Sequence, residues 1–291
     1  MVESGSTRSP VPAGAFPMSV AVEPQISPIE AYERYIVRSL LGPWSRDLVA
    51  RALLIEGGRY LDLACGTGIV GRTLGEEVLG PGWLCGLDVS PGMLAKAESL
   101  SDGLEDRGWA LEWHEGCACS LPFADQAFDQ VLCQQGLQFF PDPSKALREV
   151  QRVLRPGGRL VASVWGALQG NPFYTVIDHL VSRHLAKGAL ARPFALSDTE
   201  KLRGLAQGAG LQDVGVWAVP LTVSADEPER FAAMCLRGAT AVLPEFAALS
   251  EILRQDVMER MNGDLEELVR PFRKGNALEF GTLANVLTAR A

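Results

Sequence analysis

From Arg59 onward, short apolar runs alternate with stretches whose apolar residues recur at helical spacing. Arg59 to Ala64, Trp83 to Asp88, Trp109 to His114, Phe128 to Gln134 and Arg159 to Trp165 read as strands. Between them, three segments each show one apolar face and read as helices. They are Ile69 to Leu79, the segment after Ser90-Pro91 with Met93, Leu94, Ala97 and Leu100, and the segment after Asp142-Pro143 with Leu147, Val150 and Leu154. The turn Arg155-Pro156-Gly157-Gly158 delivers the chain into the fifth strand. Strands alternating with helices at this interval predict parallel βαβ units and a sheet covered on both faces.

The flanks are less regular. Five prolines between Pro10 and Pro28 make the first 26 residues a predicted disordered tail. Ser27-Pro28-Ile29-Glu30 then supplies a capping box, and Ile29, Tyr32, Ile36 and Leu40 follow on one helical face, with Gly42-Pro43 as the predicted stop. Beyond Trp165, Asn171 to Leu185 reads as a helix. Ser197 to Glu200 reads as a capping box for a helix that stops at Gly210, and Asp213 to Ser224 as a strand. Asp226 to Arg270 is helical by period, with Phe246, Leu249, Leu253 and Val257 on one stripe, before a last strand-like segment from Asn276 to Ala289. The expected organisation is therefore lid helices over 27–58 and a single α/β domain over 59–291. Helical cap insertions at about 166–196 and 226–275 are placed to fold over a site.

Composition narrows the function. The net charge is 27 − 35 = −8 with no Lys/Arg run, whereas binding to nucleic acid or an anionic membrane needs a concentrated basic face. Neither partner is expected, and a small-molecule substrate is; a homodimer stays open. Cys65, Cys85, Cys117, Cys119, Cys133 and Cys235 form no CxxC pair, so they read as thiols of a reducing cytoplasm and no metal site is expected. No basic start followed by an apolar stretch marks a signal peptide, and no run approaches the roughly 18 apolar residues of a membrane span.

The chemistry concentrates where the first strand meets its helix, at Leu61-Asp62-Leu63-Ala64-Cys65-Gly66-Thr67-Gly68. Glycines there let the backbone turn tightly and approach a ligand at the carboxyl edge of the sheet. With Gly71 the loop also matches GxGxxG, which keeps a nicotinamide-dependent oxidoreductase in view. Asp62 counts against that reading, because a carboxylate just before the loop repels a pyrophosphate and suits an amine. Asp88, at the end of the second strand, is placed to accept from both hydroxyls of an adenosine ribose; capping the next helix is its competing use.

The segments LDLACGTG, GLDVSPGML, EGCACSLPFADQAFDQVLCQQGLQFF and REVQRVLRPGGRLVASVW resemble the successive motifs of class I S-adenosylmethionine-dependent methyltransferases. The resemblance is to the group that includes the ubiquinone/menaquinone-biosynthesis enzymes and many bacterial small-molecule methyltransferases. It implies a Rossmann-like, doubly wound, seven-stranded and mostly parallel sheet with a helical cap. It also implies S-adenosylmethionine as cofactor, lying along Ala64, Gly66 and Gly68, with Asp62 on its ammonium, Asp88 on its ribose, and Val89 and Met93 near its adenine. Where the family usually has an acidic residue this chain has Cys117, a weak acceptor, so the adenine amino group must rely on backbone at Ala118 and Gln134. Tyr35, with Tyr32 and Trp44, is placed to close a lid on the cofactor or to pack the core.

Acceptor and catalytic residues are less defined. Gln135 and Gln138 face the expected cleft, while His114, His179 and His184 read mainly as structural, with His114 the one catalytic candidate among them. Phe139, Phe140, Trp165, Phe173, Phe194 and Phe231 are candidates for an apolar acceptor pocket, against the competing use of aromatics as core. The expected activity is methyl transfer to a small, largely apolar acceptor, at oxygen or carbon. A cyclase or other enzyme that retains the cofactor, and a non-catalytic S-adenosylmethionine-binding regulator, are the alternatives.

Overall fold

The computed structural model describes residues 26–78 and 80–291; the expected tail through Pro24 and the predicted helix end at Leu79 lie outside them. The chain enters through α1 (Pro28–Ala31), where Ser27 accepts from the Glu30 backbone and Glu30 reaches back, closing the predicted box. The helix does not stop at Gly42-Pro43. It widens over Tyr32–Leu41 into π-helical winding, with the Gly42 N–H on the Val37 carbonyl, and continues as α2 (Gly42–Ala50). Pro43 falls in the first turn of α2, where a missing N–H breaks no helical bond. Trp44 turns inward, its Nε1 donating to Thr282 Oγ1 at 3.1 Å.

Alternating strands and helices follow: β1 (Arg59–Leu63), α3 (Ile69–Glu77), β2 (Trp83–Asp88), α4 (Pro91–Ser99), α5 (Asp102–Glu105), β3 (Ala110–Glu115), β4 (Phe128–Gln134), α6 (Pro143–Val153) and β5 (Leu154–Trp165). The second half contributes α7 (Pro172–His184), α8 (Thr199–Gly208), β6 (Gln212–Ala225), α9 (Pro228–Ala241), α10 (Pro244–Ala247), α11 (Glu251–Val269), the two-residue β7 (Arg273–Lys274) and β8 (Ala277–Arg290). Several boundaries differ from expectation, and β5 already begins at Leu154, so the predicted turn Arg155–Gly158 lies within it. Asp198, rather than Ser197, caps α8, accepting from Glu200 N and Lys201 N. The single long helix expected over Asp226–Arg270 is three helices, because Pro244 starts a new one and Ser250 caps another. The predicted stripe breaks with it, leaving Leu253 half-exposed and Val257 buried.

The sheet runs β3-β2-β1-β4-β5-β8-β6, with β7 beside β8. The first five strands are parallel, and β8 inserts antiparallel between β5 and β6. This is the mostly parallel, doubly wound sheet the sequence predicts, with the extra β7–β8 hairpin. Alternate side chains build the two cores on its faces. Tyr60, Leu132 and Val161 join Val70 and Leu74 on one side, and Leu61, Val131 and Leu160 join Leu147 and Val150 on the other. A third cluster belongs to the cap: Phe173, Ile177, Leu180, Phe231, Leu236, Met261 and Phe280. Strand order reverses between β1 and β4, so the loops after them diverge and leave a crevice at the carboxyl edge.

Candidate functional site

The loop after β1 has an unusual backbone. Ala64, Gly66 and Gly68 all have positive φ, at 58°, 54° and 81°. At Gly66 a Cβ would meet nothing within 4 Å, so the loop surface opens onto free space there. Two carboxylates hold it. Asp88 Oδ2 accepts from Gly66 N at 2.9 Å while its Oδ1 accepts from Ser90 N at 2.9 Å, so one side chain pins the loop and starts α4. Asp62 lies beneath, 1% exposed, accepting from Gly71 N at 3.1 Å. Burial pushes the Asp62 carboxyl up to about 7, and nearby Asp88 adds to this while the Gly71 N–H and Arg72 oppose it.

The N-terminal helix closes over this loop through a residue that sequence reading missed. Glu33 accepts from Thr67 Oγ1 and, at 2.6 Å, from Arg72 Nη2, while Arg72 Nη1 donates to the Thr67 carbonyl. Of the two tyrosines of this helix, Tyr32 lies near the Asp88 carboxylate. Burial raises its phenol's pKa, and the Glu33 and Asp88 carboxylates raise it further. Tyr35 instead faces α9, its hydroxyl accepting from Arg230 Nη1 at 2.8 Å, and Trp44 packs edge-on against Trp165. Glu33 showed no sequence signal beyond being a charged residue on an amphipathic helix.

Toward the predicted adenine side, Val89 is 69% exposed and Met93 N donates to Ser90 Oγ at 3.4 Å. Cys117 is half-buried, and its sulfur accepts from Cys119 N at 3.4 Å, while Ala118 is buried between them. Trp113, also missed, lies across Gly86 and reaches Gly68. Its neighbour His114 therefore points to the opposite face of β3, where it meets Glu112 at 3.2 Å and stacks edge-on against Phe123. That removes His114 from the crevice. Cys85, Glu112 and His114 bring possible ligand atoms within 4.8 Å of one another there. Those groups are already engaged, because Glu112 also accepts from Trp83 Nε1 at 3.0 Å and burial holds the Cys85 thiol neutral, pushed up to about 12. His184 is likewise structural, bonded to Asp264 at 2.8 Å across α7 and α11.

Across the crevice, β4 ends in three glutamines. Gln134 Nε2 donates to the Leu41 carbonyl at 2.8 Å, tying the lid helix to the sheet. Gln135 has φ 54°, a left-handed conformation unfavourable for a residue with a Cβ. Gln138 Nε2 donates to Gln135 Oε1 at 3.1 Å. The aromatic candidates are mostly core. Trp165, Phe173, Phe194 and Phe231 all lie buried in the cap core, Phe173 stacking on Phe280 at 4.5 Å, and Phe140 packs with the sheet core. Within the cap core Trp165 and Phe194 flank Tyr174, with ring centroids at 5.7 and 6.0 Å. Burial raises the Tyr174 pKa, and nearby Cys235 and Tyr32 add to it. Phe139 is 39% exposed beneath Arg192. Sequence could not sort these aromatics, because lining and core rings share one helical period.

A mostly parallel sheet of this order, with a loop of positive-φ residues after β1 and a carboxylate at the end of β2, is the fold of class I methyltransferases. Residues 61–162 match the methyltransferase domain family, and S-adenosylmethionine is the cofactor of that class. Among curated relatives, the demethylmenaquinone methyltransferase of Lactiplantibacillus plantarum is 40% identical over 120 residues, covering 40% of this chain and 49% of that protein. The 2-phytyl-1,4-naphtoquinone methyltransferase of Thermosynechococcus vestitus is 39% identical over 116 residues, covering 40% and 50%. The chain thus spans about half the length of the curated relatives it matches. Solved structures share the fold over most of this chain. A Haemonchus contortus phosphoethanolamine N-methyltransferase has TM-score 0.54 and 19% identity, over 92% of this chain and 58% of its own. The 4+2 cyclase SpnF has TM-score 0.52 and 22% identity, over 86% and 80%. Among the described residues no helix is long and apolar enough to cross a membrane.

Proposed function

We propose that this protein transfers the methyl group of S-adenosylmethionine to a small, largely apolar acceptor held between the carboxyl edge of the sheet and the cap. The observation that carries this reading is the loop after β1, pinned by Asp88 at Gly66 and braced from below by Asp62 at Gly71, within the segment that matches the methyltransferase domain. The residues fit the cofactor's chemistry. The open surface at Gly66 leaves room for a ligand against the backbone; Asp88 would accept from the ribose hydroxyls, and Asp62, once ionised, would supply negative charge toward the ammonium. Exposed Val89 offers apolar surface to a purine. When bound, the cofactor supplies a methyl group on a positively charged sulfur; the carbon–sulfur bond breaks with its electron pair on sulfur, and the attacking oxygen or carbon gives up a proton.

The chain's own part is alignment and exclusion of water. Glu33, Thr67 and Arg72 lock the N-terminal helix over the loop. Such a site gains rate by holding the nucleophile in line, which is worth up to roughly 7–11 kcal/mol in well-oriented reactions. The test is to supply methyl-labelled S-adenosylmethionine with a library of phenols, enols and amines and follow the label. One cofactor consumed per labelled product, with inhibition by S-adenosylhomocysteine, is expected. Unlabelled product in stoichiometric excess over the cofactor would overturn the proposal in favour of a cofactor-retaining enzyme.

A further inference from the structure

The chain carries six cysteines, and most are sealed away. Cys65, Cys85, Cys133 and Cys235 are buried; burial pushes the Cys85, Cys133 and Cys235 thiols up to about 12 and the Cys65 thiol well above its ordinary value. Such thiols stay neutral and inert. Cys117 is the one cysteine of the six that is only partly buried, and Cys119 follows it in the same loop, 8% exposed.

These two residues share one closed turn. Ser120 N donates to the Cys117 carbonyl at 2.9 Å, and Cys119 N donates to Cys117 Sγ at 3.4 Å, which folds the first side chain back over the second residue. Consecutive Cα atoms are about 3.8 Å apart, so residues two apart in a tight turn have Cα atoms roughly 5–6 Å apart, within the range of about 4.4–6.8 Å that a disulfide spans. The thiols also sense each other. Burial raises the Cys119 pKa, its bond to the Asp142 carbonyl opposes this, and the nearby Cys117 sulfur adds to the rise.

The turn is anchored at both ends, and one anchor belongs to the cofactor loop. Gly116 N donates to the carbonyl of Asp88 at 3.0 Å, the residue whose carboxylate pins Gly66. Past the turn, Leu121 N donates to Glu149 Oε2 at 2.8 Å and Arg152 Nη2 donates to the Leu121 carbonyl at 3.1 Å. Between these anchors, Cys119 Sγ donates to the carbonyl of Asp142, the residue that caps α6, at 3.3 Å. Drawing the two sulfurs together removes that donor and, with both ends held, shifts Ala118 and the backbone beside Asp88.

We infer that Cys117 and Cys119 form a reversible disulfide that loosens the cofactor site, so that a peroxide weakens cofactor binding and a thiol reductant restores it. The Cys117 thiolate attacks a peroxide oxygen, the O–O bond breaks, and a sulfenic acid forms with release of water. The Cys119 thiolate then attacks the Cys117 sulfur and displaces hydroxide, which takes a proton and leaves as a second water. Each thiol gives up its hydrogen and one electron, and the peroxide takes up both electrons. A disulfide closed across one turn and open to solvent is of the readily reduced kind, which reversal requires. The effect on the cofactor rests on the methyltransferase reading; the disulfide does not.

The test treats the full chain with hydrogen peroxide and follows intact mass, and S-adenosylhomocysteine affinity by calorimetry. Wild-type protein is expected to lose two hydrogens, about 2 Da, and to recover them with dithiothreitol. Its affinity is expected to fall roughly tenfold on oxidation, the scale of one lost buried hydrogen bond, and to return on reduction. Cys119→Ser keeps a donor for the Asp142 carbonyl, so it is expected to bind as the reduced wild type does and to show no loss of two hydrogens. Cys117→Ser repeats the mass readout from the other side of the bond. No loss of two hydrogens in wild type, a loss that survives either substitution, or an oxidised protein that binds as tightly as the reduced one overturns the inference. Failure of the reduced wild type to bind S-adenosylhomocysteine counts instead against the methyltransferase reading, and the mass measurement still decides the disulfide.

Discussion

At the scale of single residues, Asp88 and Asp62 make the sharpest demands. Asp88 gives one oxygen to Gly66 N and the other to Ser90 N, so the same carboxylate shapes the loop and starts α4. Asp88→Ala should lose about 2–4 kcal/mol of S-adenosylhomocysteine binding, the scale of charge-assisted hydrogen bonds. Calorimetry on the folded variant checks this, and unchanged affinity would remove Asp88 from the site. Asp62 makes a pH prediction. Its carboxyl is raised from the ordinary value near 3.9 to about 7, so the native state keeps a proton that the unfolded chain has already lost. The ligand-free protein should therefore lose stability as pH rises from about 4 to about 7. Cofactor affinity should move the other way, gaining up to roughly tenfold per pH unit below 7, because an ammonium pairs with the ionised form. Denaturant midpoints and calorimetry between pH 5 and 8 test both slopes, and Asp62→Asn should flatten them.

At the scale of elements, the N-terminal helix meets the loop after β1 and the start of α4 through few contacts. Glu33 bridges it to Thr67 and Arg72, and Ile29 abuts Gly92 at the start of α4. The Glu33–Arg72 pair is mostly buried, with side chains 21% and 17% exposed, and breaking a buried pair leaves its partner uncompensated. Glu33→Ala should weaken S-adenosylhomocysteine binding several-fold, and truncation through Leu41 should weaken it further by also removing the carbonyl that Gln134 holds. Binding that is unaffected by either change would show that the helix does not cover the site. The capping signals of α1, α4 and α6 at Ser27, Ser90 and Asp142 were all legible, because a cap depends on residues three apart. The continuation of the helix through Gly42-Pro43 into α2 was not, because α2 is held by long-range contacts such as Trp44 Nε1 donating to Thr282.

For the whole molecule, the reversal of strand order beside β1 brings the loop after β1 and the end of β4 to one crevice. A ligand that binds only the native state raises its stability by about 2.7 kcal/mol at a concentration one hundred times its dissociation constant. S-adenosylhomocysteine should therefore raise the unfolding temperature by a few degrees, and NADH should not. The opposite ranking would restore the oxidoreductase reading of GxGxxG. By itself the sequence determined the alternation of strands and helices, the loop from Asp62 to Gly68 and the carboxylate at Asp88, because each is written in neighbouring residues whose spacing reflects local backbone geometry. Only the tertiary structure decided that Glu33 clamps Thr67, that Tyr32 rather than Tyr35 lies near Asp88, and that His114 faces away. It also decided that Trp165, Phe173, Phe194 and Phe231 all join the cap core, and that two glutamines share one bond and leave two groups unmet. Those outcomes depend on contacts between residues tens to hundreds of positions apart, fixed by packing and burial rather than by any periodicity along the chain.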